Sequence, residues 1–215
     1  EADEYHLLLR LSDHQYRRYR SIRLIAQEPM RICIDGHNLS LARGTGIRTY
    51  ARNLLHTLQI SQNHEPSMLF GLPIAGSRDP VLRQAQFRQA LAVGYQSSTN
   101  LPSHLYLKAA ISKVSPLRPE LIHNQQDLVT RDTTISGETQ ITNSPHLFQL
   151  ARQYFNKTGK LMRIKLEHGC DIMHWTFPAP IISSDTYNIY TIHDIIPLTH
   201  PETSNFNLIQ YKKII

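Results

Sequence analysis

The chain has 215 residues, 40% of them hydrophobic, enough for one domain with a real core and no need of disulfide or metal staples. No apolar run approaches the roughly 20 residues that a bilayer-spanning helix needs, which excludes such a span. A formal charge of +6 favours anionic partners, yet outside QYRRYRSIR the basic residues are dispersed and no zinc-finger, RNP or recognition-helix pattern accompanies them, so nucleic acid is not an expected partner.

Residues 1–29 are charged and tyrosine-rich around a brief HLLLRL, and read as an upstream segment or linker of helical character. RICIDG (31–36) is short, apolar and closed by Asp-Gly, the pattern of a buried strand. A glycine-spaced turn follows. Then Ile47, Tyr50, Ala51, Leu54, Leu55 and Leu58 recur at helical spacing, with Arg48, Arg52 and His56 largely off that stripe. SMLFGL (67–72) is the next strand, completing a βαβ unit.

From about Ala75 to Ser144 the pattern is weaker. Asp79-Pro80 starts a helix through DPVLRQAQFRQALAVGY, whereas LVTRDTTISGETQITNS is polar and β-branched, a loop or hairpin. Ser144 as cap, Pro145 at the first helical position and a stop near Gly159 predict a helix over 144–159. DIMHW (171–175) and YNIYTIHD (187–194) are late strands, and IPLTHPETSNFNLIQYKKI is a loop leading into a final helix. The whole reads as α/β with a mainly parallel sheet. Cys33 and Cys170 lack metal-ligand spacing and disulfide-rich surroundings, the usage of a reducing compartment, and mid-strand Cys33 is expected to be a small buried hydrophobe. The chain starts without methionine and stops inside LIQYKKII, as a piece of a longer polypeptide would.

In open α/β sheets ligands bind beyond the carboxyl ends of the strands. Asp35, His174 and the pair His193-Asp194 end three of the expected strands, which makes them candidates for substrate contact. GTGIRT has a G-x-G but Thr49 in place of a third glycine, and it lacks the Lys-Ser/Thr of a P-loop. From the residues alone it is either a tight connection or an anion site at a helix start. His193 at a strand end can bond a substrate hydroxyl or exchange a proton; otherwise Asp194 caps a turn and His193 is interior. His174, His193 and Asp194 contain no close-spaced ligand pair, so no metal is expected.

RICIDGHNLSLARGTGIRTYARNLL, SPHLFQLARQYFNKTGKLMRI, DIMHWTFPAPI and NIYTIHDIIPLTHPET together resemble the N-terminal half of the family 4 glycosyltransferases. The likeness covers Arg31 to the end of the chain and leaves out residues 1–29. Its most specific part is the pairing of the first glycine loop with YTIHDIIPL. Such enzymes are retaining and metal-independent. They have the GT-B fold, two facing Rossmann-like domains with the active site between them, the first holding the acceptor and the second the sugar nucleotide. The resemblance implies that residues 30–215 form a Rossmann-like, mainly parallel sheet flanked by helices, one half of such a fold.

It also implies that Gly44, Thr45 and Gly46 approach the donor diphosphate, although the family often has Gly-Gly where Thr45 intervenes. His193 would contact the transferred sugar, with Asp194 beside it. No cofactor or metal is implied, since the nucleotide sugar is a substrate. The basic pair and E-x7-E of the donor-binding domain are not in the sequence, so the chain is expected to be inactive by itself. A glycan or lipid-linked acceptor, bacterial polysaccharide or lipopolysaccharide assembly, a cytoplasmic location and peripheral contact with an anionic membrane complete the expectation. The rival is a non-catalytic binding or regulatory module on the same shell.

Overall fold

The structure, a computed structural model, describes residues 29–42, 46–74, 77, 79–94, 101, 103–123, 127–129, 134–167, 169–195, 199–200, 202 and 212. The upstream segment, the final helix and the Gly44 and Thr45 part of the glycine turn fall outside the described residues.

Strand β1 (Met30–Asp35) is followed by a one-turn helix α1 (His37–Ser40), then α2 (Gly46–Ile60) and β2 (His64–Phe70). Next come α3 (Pro80–Val93), α4 (Ser103–Ile111), β3 (Glu120–Ile122), and a small antiparallel pair, β4 (Leu128–Val129) with β5 (Thr134–Ile135). Then follow β6 (Gln140–Asn143), α5 (Leu147–Thr158), β7 (Met162–Ile164), β8 (Ile172–Trp175), β9 (Ile181–Ser183) and β10 (Tyr187–Tyr190). The main sheet has six strands in the order β10-β8-β1-β2-β6-β3, parallel except for β3, while β7 and β9 make a separate parallel pair. This is a Rossmann-like α/β fold, as the pattern of elements predicts.

Alternation along β1 explains the three layers. Ile32 and Ile34 enter one core with Ala51, Leu55 and Leu58 of α2 and Phe87 and Leu91 of α3. Cys33 enters the other, with Leu147, Leu150, Ala151 and Phe155 of α5 and Met173 and Trp175 of β8. Both sheet faces are therefore covered, the condition that favours parallel strands. Each fully buried leucine contributes about 1.5–3 kcal/mol relative to an exposed one. Cys33 is indeed buried, and the hydrogen bond with the Cys170 thiol together with burial pushes its pKa up, so it stays a thiol.

Several boundaries move for physical reasons. Asp79 caps α3 as expected, accepting from Val81 N at 2.8 Å, with Pro80 next and Gly94 closing the helix at φ 83°. Helix α5, by contrast, starts at Leu147: its cap is His146 at φ 59°, and Ser144 N is drawn to the Phe70 carbonyl at 3.0 Å instead. Gly159, at φ 65°, ends it as predicted. QITN of the expected loop or hairpin is β6, paired parallel with β2 inside the main sheet. Arg48 is not on the outer face of α2; it is buried, and its Nη1 donates to the Leu41 carbonyl at 3.2 Å. YNIYTIHD stays extended only to Tyr190, so His193 and Asp194 lie beyond the strand in an exposed connection.

Candidate functional site

From β1 the chain goes through α2 to β2 on one side of the sheet; from β8 it goes through β9 to β10 on the other. Adjacent strands that diverge in this way open a crevice at their carboxyl ends. Asp35 ends β1, His174 lies in β8 just before its end, and His193 follows β10, so all three share this edge.

Asp35 comes to the site by a different route from the one expected. It is fully buried, and its two oxygens are taken by backbone N–H groups: Oδ1 accepts from His37 N at 3.2 Å and Oδ2 from Thr176 N. It touches no open space, so it acts on the crevice through the chain it holds. Desolvation raises its pKa to about 6 while the two amides oppose that rise. Gly36 beside it has no room for a side chain, because a Cβ would run into the Phe70 ring, and its N–H continues the ladder to the Leu69 carbonyl at 2.8 Å.

Thr176 is the joint between strands. Its N–H goes to Asp35, its Oγ1 accepts from Asn38 Nδ2 at 3.3 Å, and its carbonyl bonds His193 Nε2 at 2.7 Å. A carbonyl oxygen only accepts, so Nε2 carries the proton. In the tautomer that Nε2–H defines, Nδ1 is the acceptor nitrogen. The ring also stands edge-on to Tyr50, with centroids 5.0 Å apart and planes at 78°. Exposure of His193 removes the reading of an interior histidine; Asp194 beside it is exposed as well.

His174 is half-buried in a polar triangle. Its Nε2 lies 2.9 Å from Thr191 Oγ1 and 3.2 Å from the Tyr50 hydroxyl, which in turn is 3.1 Å from Thr191 Oγ1. Burial lowers the His174 pKa, so the ring is neutral near pH 7. Near the Asp35 end, His37 is enclosed by the rings of Phe148 and Phe177 at 4.6 and 5.1 Å. That enclosure, aided by the Arg152 charge, lowers its pKa to about 4.

Sequence reasoning missed Tyr50, Thr176, Thr191 and His37. Tyr50 was hidden because it fits the apolar stripe of α2, and only its hydroxyl marks it as different. Of the expected diphosphate loop, Gly46 alone is described: it opens α2, is exposed, and has nothing within 4 Å of its missing Cβ. Gly44 and Thr45 lie outside the described residues. Among the described residues no group of three or more His, Cys, Asp or Glu could hold a metal ion.

The opposite, amino edge of the sheet carries a cavity of about 660 Å³ lined by Arg31, Gln59, Ser61, His64, Glu138 and Thr139 among others. Two pairs of its polar groups are engaged with one another: Ser61 Oγ with His64 Nδ1 at 2.6 Å, and Gln59 Nε2 with Thr139 Oγ1 at 3.2 Å. Arg31 is paired with Asp171 at 3.2 Å.

The fold and this edge define the class, a Rossmann-like α/β protein with a polar crevice at its strand ends. In comparisons with protein-family models, curated proteins and solved structures, nothing matches the chain.

Proposed function

We propose that the chain is the acceptor-side domain of a metal-independent retaining glycosyltransferase, which moves a sugar from a nucleotide-sugar donor to a glycan or lipid-linked glycan. The observation that carries this reading is His193, held in one tautomer at the crevice by the Thr176 carbonyl. With Nδ1 as acceptor, His193 takes a hydrogen bond from a sugar hydroxyl and orients the ring. Orientation of this kind lowers the barrier without any change of protonation.

The neutral triangle of Tyr50, His174 and Thr191 offers further hydroxyl and imidazole partners to a polyhydroxylated ligand, and no net charge to repel a diphosphate. The start of α2 at Gly46 presents backbone N–H groups and the positive end of a 15-residue helix to the departing diphosphate. Cations from the donor-binding domain complete the stabilisation. The leaving oxygen helps deprotonate the acceptor on the same face of the sugar. In this role the domain works in the cytoplasm, in the assembly of a bacterial polysaccharide or lipopolysaccharide.

A non-catalytic binding module is favoured by one observation: the carboxylate expected to touch substrate, Asp35, is consumed by backbone amides. The two readings part in a difference measurement. Affinity for a panel of nucleotide sugars is compared with that for the bare nucleoside diphosphates, in wild type and in His193→Ala. The transferase reading expects weak binding with a sugar-dependent part that vanishes with His193. If no nucleotide sugar gains over its diphosphate, and the imidazole NMR signals of His174 and His193 ignore them all, the reading fails.

A further inference from the structure

Helix α4 is apolar on two sides. One side packs Ala109 and half-buried Leu105 and Tyr106 into the core beneath α5. On the other, Leu107 is 65% exposed, Ile111 49%, and Val114, in the turn that follows, 90%. Leu107 and Ile111 are four residues apart and so lie in one row along the helix. Val114 continues it, its N–H bonded to the Ile111 carbonyl at 2.9 Å. A second apolar row opposite the core-facing one is usually covered, yet among the described residues nothing covers this row.

The surroundings of the row are basic. Lys108 and Lys113 are exposed beside it, and among the described residues neither pairs with a carboxylate. Lys157 of α5 borders the helix, its ammonium 4.3 Å from the Tyr106 ring centre. In sequence, no Asp or Glu occurs between Asp79 and Glu120. Three aliphatic side chains framed by lysines complement a surface that is apolar beneath and negative on top.

We propose that this face docks onto a lipid surface carrying anionic headgroups. Leu107, Ile111 and Val114 enter the boundary between headgroups and acyl chains, while the lysines lie along it with their ammonium groups at the phosphates. Among the described residues no helix is long and apolar enough to cross a membrane, so α4 lies on the surface. A protein partner would meet the same aliphatic row, but the absence of any acid over so long a stretch favours a dense negative surface. The surface stands apart from the crevice chemistry. Vesicle binding is read without turnover, so its failure leaves the glycosyl-transfer reading intact, and the converse holds.

The test is co-sedimentation with vesicles of phosphatidylcholine alone and of phosphatidylcholine mixed with phosphatidylglycerol. The protein should sediment with the mixed vesicles, less so as salt rises, and stay in solution with the neutral ones. Each lysine near such a surface is worth about fivefold in partitioning, so Lys108→Gln/Lys113→Gln should lose at least about tenfold. Leu107→Ser/Val114→Ser removes the apolar anchor and should lose about as much. Both pairs are exposed, so the far-ultraviolet circular dichroism should not change. Absence of binding to the mixed vesicles, equal binding to both kinds, or wild-type binding by the two variants would overturn the proposal. Self-association in the centrifuge that Leu107→Ser/Val114→Ser relieves would overturn it as well, assigning the row to a second copy of the chain.

Discussion

The two edges of the main sheet are both polar, and they are built in different ways. At the amino edge Ser61 and His64 are 3 residues apart, but Gln59 reaches across 80 residues to Thr139 and Arg31 across 140 to Asp171, the last as an exposed surface pair. At the carboxyl edge Tyr50 reaches across 124 residues to His174, and Asp35 across 141 to Thr176. The edges differ in burial instead: the Arg31 and Asp171 side chains are 47% and 32% exposed, whereas Asp35 is fully buried and desolvation shifts Asp35, His37 and His174. Polarity and volume alone would have favoured the cavity of about 660 Å³ at the amino edge; convergence and shifted titration favour the other.

The strongest way to break this comparison is His193→Ala, measured, on the proposed transferase reading, with a donor-binding domain supplied. Losing a bond made mainly in the transition state should lower kcat by about 10²–10³, with kcat/KM falling in parallel. Because His193 is exposed, the melting temperature should hold. A fall in stability with unchanged turnover would make the carboxyl edge as structural as the amino one.

Next in size is Asp35→Ala. It orphans the N–H groups of His37 and Thr176 in a buried place, and two such losses cost about 2–4 kcal/mol of stability by urea titration at pH 7. A change under about 0.5 kcal/mol would mean that Asp35 does not hold the Thr176 loop.

The same carboxylate and its neighbour give a pH test. Asp35 is raised to about 6, so folding keeps its proton longer, and its contribution to stability is lost as pH rises from about 4 to about 6. His37 is lowered to about 4, so its contribution is lost as pH falls from about 6.5 to about 4. Each is worth about 3 kcal/mol on the usual conversion of pKa to free energy, and the slopes oppose each other. Wild type should look nearly flat across this window as far as these two are concerned. His37→Leu should uncover stability that falls with rising pH, and Asp35→Ala stability that rises. Parallel profiles for both variants would contradict the assignment.

The smallest effects separate the edges most finely. Tyr50→Phe keeps the ring against His193 and removes the hydroxyl from His174 and Thr191, so it should cost about 1 kcal/mol and shift the His174 imidazole signals. Ser61→Ala, which breaks the bond to His64 at the amino edge, should cost no more than about 1 kcal/mol and leave sugar-nucleotide binding unchanged. If Ser61→Ala abolished that binding, the choice of edge would be reversed.

By itself the sequence determined the α/β class and the parallel sheet, because β1, α2, β2 and β8 carry their own periodicity and α3 its own cap in Asp79-Pro80. It also placed Asp35, His174 and His193 at one edge, since parallel strands with helical crossovers all point their carboxyl ends the same way. Tertiary structure decided the rest. The strands β3, β7 and β9 are three residues long, too short for a pattern, and β6 lies in a polar, β-branched stretch that reads as a loop or hairpin; all four exist because a neighbouring edge offers them hydrogen bonds. Which polar group faces the crevice, and which is spent inside, depends on partners far away in sequence. Asp35 is buried because Thr176 comes back to it, Tyr50 leaves its apolar stripe because His174 and Thr191 are within reach, and the Thr176 carbonyl, a group that every residue has, selects the nitrogen on which His193 carries its proton.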